Sequence, residues 1–231
     1  EPGLSMNPFF LALALLAGPA LADTDAEFSG RLRPQAQDSA AATAGPLKAA
    51  AQSRRLVEAE LKARLGLVNA AVYLQEGSGP SRAAVQELYA SGEALGWQFS
   101  AGRKLVSWDV GYAFRPNDVV AQEERRTLLS SMARGRPLLQ AEYFSAETAW
   151  TLVWVNPLAG SEPRHFGEEQ ALALRVYQRQ GAADWHGFAR WGERTGASLG
   201  AALSWVASDS LELHGSLRLA QRNDAWRMQS F

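Results

Sequence analysis

Segments near the C-terminal end of the chain alternate apolar and polar residues with a period of two. Between residues 210 and 221 the even positions are mostly polar, and the odd positions hold Leu211, Leu213, Gly215, Leu217 and Leu219. This period predicts a β-strand with one apolar and one polar face. The segments 169–179, 183–192 and 197–207 repeat it across short turns, which predicts an antiparallel meander.

The first 22 residues have the features of an export signal. Residues 8–17 form an apolar run that is too short to span a bilayer, and Ala20, Leu21 and Ala22 then form a small-residue cleavage site. We therefore expect a cleaved signal peptide that starts at Met6, although no Lys or Arg precedes the apolar run. Residues 23–231 are predicted to form one exported domain.

Composition limits what this domain can do. Without Glu1 the chain carries 23 acidic and 23 basic residues, and this balance argues against a nucleic-acid partner. Cysteine is absent, so no disulfide holds the fold together. Apolar residues make up 47% of the chain while the mean hydropathy is −0.20, as expected when apolar and polar residues interleave. At about 18 residues per strand and connection, the domain has room for about 11–12 strands.

The polar sides of these strands carry long charged residues, which suit a watery lumen better than a protein core. The lumen-facing candidates are Arg175, Arg179, Asp184, His186, Arg190, His214 and Arg218. The candidates for an aromatic belt at the membrane surface are Trp185, Trp191 and Trp205. The sequence thus predicts an all-β fold, an antiparallel transmembrane β-barrel in contact with outer-membrane lipid. A soluble sheet with core tryptophans is the alternative.

The first half of the chain is less regular. Strands are predicted at 27–34, 67–75, 85–92, 96–108, 137–145 and 148–155, with polar connections at 35–46, 76–81 and 156–167. Residues 47–65 are rich in helix formers, yet 56–65 also alternate. A strand over 56–65 is favoured, and a periplasmic or plug helix stays open.

The segment 109–136 interrupts the pattern with a proline and many charges, which predicts a long loop. If it folds into the lumen, its charges would set a field across the pore and select solutes by charge. The pore-constriction candidates are Asp109, Arg115, Asp118, Glu123, Arg125 and Arg126. The alternative is a solvated surface loop whose ion pairs contribute little.

One stretch of the chain, residues 102–128, resembles porin-like outer-membrane proteins of Gram-negative bacteria. In these a Gly-Arg strand leads to a Trp-containing segment and a Phe-x-Pro-x-Asp-Val turn. The matching positions are Gly102, Arg103, Trp108, Phe114, Pro116, Asp118 and Val119. The resemblance implies location in the outer membrane, insertion by the barrel-assembly machinery, and a porin-like or export-channel role.

The C-terminal end departs from the usual barrel pattern. The chain ends in an aromatic residue, Phe231, but Gln229, Arg227 and Asn223 stand in register with it where apolar residues are typical. The sequence therefore also fits the N-terminal part of a larger barrel. A homo-oligomer is compatible with the sequence, although no residue demands one.

Catalytic motifs are sparse. His186 lies two residues from Asp184 and His214 lies two residues from Ser216, but no G-x-S-x-G or H-E-x-x-H motif is present. We expect no enzyme activity, no cofactor and no metal. The leading expectation is a channel for small polar or charged solutes. An outer-membrane lipid or peptide hydrolase, or a closed barrel with a structural or assembly role, are the alternatives.

Overall fold

The structure, a computed structural model, describes residues 26–39, 52–108, 110, 116–120, 134–159 and 169–221. Eleven β-strands occupy most of these residues. They are β1 (Ala26–Ser39), β2 (Gln52–Leu65), β3 (Val68–Gly77), β4 (Arg82–Ala94), β5 (Trp97–Lys104), β6 (Arg136–Phe144), β7 (Thr148–Val155), β8 (Ala171–Gln180), β9 (Ala183–Gly192), β10 (Gly196–Ser208) and β11 (Leu211–Ala220).

All eleven strands belong to one sheet in which each strand pairs antiparallel with the next along the chain. The predicted all-β antiparallel fold and the predicted number of strands are therefore confirmed. Within the described ranges no pairing joins β1 to β11, so the sheet is not closed there and a complete barrel is not observed. The predicted signal peptide lies outside the described residues.

The two ends of the sheet differ in the length of their connections. At one end every connection has two or three residues, as at Leu95-Gly96 and Gly181-Ala182. Leu95 and Gly96 have φ values of 55° and 75°, which fit the type I′ turn that matches the twist of paired strands. The opposite end carries the long connections, 40–51, 105–135 and 156–170.

Several predicted boundaries need correction. Residues 35–39 were expected in a flexible connection, but they extend β1 because they pair with 52–56 of β2. The described part of 47–65 is strand rather than helix, since its alternating residues pair on both sides. β5 ends at Lys104 rather than at residue 108, and the predicted loop 109–136 loses Arg136 to β6. The described part of the chain contains no helix long and apolar enough to cross a membrane.

The pairing register gives the sheet two faces of opposite chemistry. Across β5 to β10 one row of partners runs Ser100, Gln140, Val153, Ala173, Arg190 and Ser198. The adjacent row, on the other side, runs Ala101, Leu139, Trp154, Leu172 and Trp191. We call these sides the polar face and the apolar face. Most of the 28 exposed large apolar side chains of the described chain lie on the apolar face.

The polar face carries an apolar patch on β6 to β10, and a segment that follows β5 covers it. The patch includes Leu138, Val153 and Phe188, and the segment contributes Val106 and Trp108 to the same buried cluster. The Trp108 and Phe188 rings stack with centroids 6.4 Å apart. We call residues 105–108, 110 and 116–120 the covering segment. Burying each large side chain of the patch stabilises the fold by about 1.5–3 kcal/mol.

Truncation of Leu138 tests this packing. Leu138 is 1% exposed beneath the covering segment, whereas its neighbour Leu139 is 44% exposed on the apolar face. We expect Leu138→Ala to lower the free energy of unfolding by about 2–5 kcal/mol, because it leaves a cavity. Leu139→Ala, the matched control, should cost less than about 1 kcal/mol. Equal costs in guanidinium titrations would contradict the burial of Leu138.

Candidate functional site: the polar face and its covering segment

A row of charged and aromatic side chains lies on the polar face of β8 and β9. Asp184 Oδ1 accepts hydrogen bonds from Tyr177 Oη at 2.7 Å and from Arg179 Nε at 3.1 Å. Arg175 Nη2 lies 3.2 Å from His186 Nδ1. Because a guanidinium can only donate, His186 Nδ1 is the acceptor in a hydrogen bond between the two groups.

The row continues onto β5 and β6 through Glu142. Thr151 Oγ1 donates to Glu142 Oε1 at 3.2 Å, and Lys104 Nζ lies 3.8 Å from Glu142 Oε2. In the register, Arg175 on β8 pairs with Thr151 on β7, and Thr151 in turn pairs with Glu142 on β6. A single carboxylate thus lies between two basic side chains, Lys104 and Arg175.

A buried ion pair fastens the long-connection end of β8, β9 and β10. Arg190 Nη2 lies 2.5 Å from Glu169 Oε1, and their side chains are 3% and 0% exposed. Thr195 Oγ1 and the backbone N–H of Arg194 also donate to the Glu169 carboxylate, at 2.6 and 2.7 Å. Gly192 lies so close to these groups that an added Cβ would overlap Glu169 Oε1. The cluster therefore depends on the absence of a side chain at position 192.

The hydrogen bonds to Glu169 determine its protonation. Burial by itself raises the pKa of the Glu169 carboxyl, but hydrogen bonds from Thr195, Arg190 and the Arg194 N–H outweigh it, and the pKa is lowered from 4.5. The fold therefore stabilises the ionised form of Glu169. The stability contributed by Glu169 is present above its ordinary pKa and is lost as the pH falls through the lowered value.

The covering segment is seated against β10 and β11. Asn117 is fully buried, and its Nδ2 donates to the backbone carbonyl of Ala201 at 3.3 Å. Its amide lies directly over Gly200, where a Cβ would be 2.8 Å from Asn117 Cγ and would overlap Oδ1. Arg218 Nη1 donates to the backbone carbonyl of Pro116 at 3.4 Å. The segment after β5 thus reaches strands that lie about 100 residues later in the sequence.

A second buried carboxylate joins β1, β2 and β3 on the polar face. Tyr73 Oη donates to Glu58 Oε1, and Gln35 Nε2 donates to Glu58 Oε2 at 3.0 Å. Arg33 Nη1 lies 3.7 Å from the same carboxylate. The sequence alone does not mark Glu58, Glu142, Glu169 or Asn117 as candidate site residues. Alternation places Glu58 and Glu142 on the polar face, but no local signal marks Glu169 or Asn117.

The predicted site residues lie on both faces of the sheet and in the covering segment. The register places all seven lumen-facing candidates on the polar face, through pairs such as Arg179 with Asp184 and Ser204 with His214. Trp185, Trp191 and Trp205 lie on the apolar face and are 50%, 73% and 44% exposed. Of the constriction candidates only Asp118 is described. It is half-buried in the covering segment, and Ser107 Oγ lies 3.5 Å from its Oδ2. Asp109, Arg115, Glu123, Arg125 and Arg126 lie outside the described residues.

Charged side chains of the described strands are concentrated on the polar face. The basic ones there are Arg31, Arg33, Arg54, Lys62, Arg64, Arg82, Lys104, Arg136, Arg175, Arg179, Arg190 and Arg218. The acidic ones there are Glu27, Glu58, Glu60, Glu87, Glu93, Glu142, Asp184 and Glu212. The apolar face of the same strands carries Asp38, Arg55, Glu76 and Arg103, all toward the long-connection end.

The histidines of the polar face are not arranged as in a catalytic triad. Arg175 occupies His186 Nδ1, the ring nitrogen that an orienting carboxylate takes in a triad. Asp184 Oδ1 is engaged by Tyr177 and Arg179. His214 Nε2 lies 3.3 Å from Glu212 Oε1. Among the described residues no group of three or more His, Cys, Asp or Glu side chains is placed to hold a metal ion.

The described part of the chain is thus all-β. It forms one eleven-stranded antiparallel sheet, and the covering segment lies over part of its polar face. No family model, no curated protein and no solved structure matches the chain. The resemblance of residues 102–128 to porin-like proteins consequently has only the sequence motif behind it.

Replacement of Glu169 tests the ion pair with Arg190. We expect Glu169→Gln to lower the free energy of unfolding by about 3–5 kcal/mol at pH 7, because Arg190 is left as an uncompensated buried charge. Below the ordinary pKa of 4.5 the wild-type chain should lose stability as Glu169 is protonated, and the difference between the two proteins should shrink. Guanidinium titrations from pH 7 to pH 3 measure both effects. A difference that stays constant with pH would show that Glu169 is not bound in its ionised form.

A methyl group at position 200 tests the seat of the covering segment. Gly200→Ala would overlap the buried Asn117 amide, so we expect the segment to detach and trypsin to cut faster at Arg125, Arg126 or Arg134. Gly187→Ala is the matched control in the adjacent strand, because no atom lies within 4 Å of a Cβ there. Equal cleavage rates in the two variants would argue against close packing of the covering segment on Gly200.

Proposed function

We propose that the chain is an outer-membrane β-barrel of the porin-like kind, a narrow channel for small polar or charged solutes. In this proposal the apolar face touches lipid, the polar face lines water, and the covering segment narrows the lumen. The observation that carries it is the separation of chemistry between the two faces, with exposed Leu, Phe and Trp on one and nearly all strand charges on the other.

The positions of the tryptophans support lipid contact. Trp97, Trp150, Trp154, Trp185, Trp191 and Trp205 lie on the apolar face with 36% to 73% of their surface exposed. In a soluble sheet such residues would form the core between packed layers. Exposed apolar patches on soluble monomers rarely exceed a few hundred Å². Contact with lipid would remove the free-energy cost of exposing this apolar face to water.

The unequal ends of the sheet support the same proposal. Bacterial outer-membrane barrels have short turns on the periplasmic side and long loops on the outer side. Here all five connections at one end have two or three residues, and the long connections 105–135 and 156–170 lie at the other end, together with the shorter 78–81 and 193–195. The proposal also requires both sheet edges to be paired, because the hydrocarbon core offers no hydrogen-bond partners.

The covering segment favours a second candidate, a closed barrel with a structural or assembly role. Asn117, Val119 and Val120 are at most 3% exposed, so the segment fills part of the space over the polar face. A segment that never leaves this seat would block the lumen instead of narrowing it. The two candidates share the membrane location and differ in conductance.

The first experiment tests location. The exported chain should fractionate with outer membranes and need detergent for extraction. Unboiled protein should migrate differently from boiled protein on a detergent gel, as closed barrels do. A folded chain recovered in the periplasmic extract without detergent would defeat the membrane proposal.

The second experiment measures conductance in planar bilayers. We expect single-channel steps from the wild-type chain and larger steps when residues 110–133 are replaced by a short Gly-Ser linker, since the lumen widens. Steps from the linker variant alone would favour the closed barrel, and steps from neither would end the channel proposal.

A disulfide supplies the matched control for this experiment. The chain has no cysteine of its own, and Asn117→Cys with Gly200→Cys would bring two Cβ atoms within disulfide reach. The oxidised form should keep steps no larger than the wild-type ones. Reduction should not make the steps smaller.

A further inference from the structure

We infer that the lumen is anion-selective, so that the solutes it admits best are small anions. This inference rests on the proposed channel and deepens it. On the polar face of the described strands, twelve basic side chains face eight acidic ones. Because a water-filled lumen concentrates ions of the sign opposite to its wall, this surplus attracts anions.

Charges in the connections reduce this surplus without reversing it. Outside 105–135, the described connections add four carboxylates (Glu147, Glu169, Glu193 and Asp209) and one basic group (Arg194), which leaves thirteen basic against twelve acidic groups. The connection 105–135 carries four acidic and four basic residues in the sequence, so its formal charge is zero. The apolar face carries two charges of each sign. None of these sets reverses the sign of the wall.

The acidic side chains are also the more fully neutralised set. Glu60 lies 3.1 Å from Lys62, and Asp184 lies 3.1 Å from Arg179. Glu58 and Glu142 are likewise in ion pairs with basic neighbours on the same face. A carboxylate held in such a pair attracts passing cations weakly, because its partner cancels most of its field at a distance.

Arg175 is the basic side chain best placed to act on a passing anion. Its hydrogen-bond partner is the imidazole of His186 and not a carboxylate. Glu142, which follows Thr151 in the same row of the register, also pairs with Lys104. Arg31 and Arg64 are exposed on the polar face of β1 and β2 and add to the same field.

The test is the reversal potential in planar bilayers with a tenfold KCl gradient. We expect the wild-type chain to pass chloride about threefold or more better than potassium. Arg175→Gln should lower this permeability ratio toward one. Arg31→Gln and Arg64→Gln should lower it as well, and these exposed positions keep the test valid if Arg175→Gln does not fold. Arg55→Gln removes the same charge from the apolar face and should leave the ratio unchanged.

The outcomes separate the inference from the proposed function. Channel steps with a permeability ratio at or below one would overturn anion selectivity and leave the channel standing. An equal change of the ratio in Arg55→Gln and Arg175→Gln would also overturn it, because the position of the charge would not matter. Folded protein that gives no steps would end the proposed channel, and the inference with it.

Discussion

Continuous antiparallel pairing from β1 to β11 is the constraint on which the rest of the structure depends. Apart from register shifts in β4 and β10, each residue of a paired run faces a partner in the next strand, so the face on which one side chain lies sets the face of its partner. Leu172 and Trp191 therefore share a face, and Ala173 and Arg190 share the other. A shift of one residue in any pair would move arginines into the apolar face. In the proposed membrane location, each of them at the middle of the bilayer would cost about 2–4 kcal/mol.

Sequence alone predicted those strands in which alternation is strong and the turns are short. The segments 148–155 and 183–192 match β7 and β9 to the residue. Large apolar residues recur at every second position of β7, and Trp185 and Trp191 of β9 alternate with charged residues. The end of β1 was missed, since residues 35–39 are small and polar and form a strand only through their partners on β2. The helix-forming residues of β2 favour a helix, whereas its alternation favours a strand. Pairing with both β1 and β3 stabilises the strand.

The candidate site was predictable only where it follows parity. The alternation predicts that Arg175, Asp184 and His186 share one face of the sheet. It does not predict the hydrogen bonds that Arg175 and Asp184 make on that face. Glu169 and Asn117 depend on contacts with residues 21 and 84 positions away, and neither carries a local pattern. The apolar patch beneath the covering segment breaks the alternation of β6 and β7, and its purpose is evident only once Trp108 lies on it.

The odd number of strands in the described part of the chain has a consequence for how the sheet could close. In a simple meander of eleven, β1 and β11 run in the same direction. If these two strands met directly, they would form a parallel seam, with slanted and evenly spaced bonds, in a wall that is otherwise antiparallel. Such a seam is somewhat weaker per residue than its neighbours. It would be the natural place for the sheet to open, or to accept one more strand from either this chain or another.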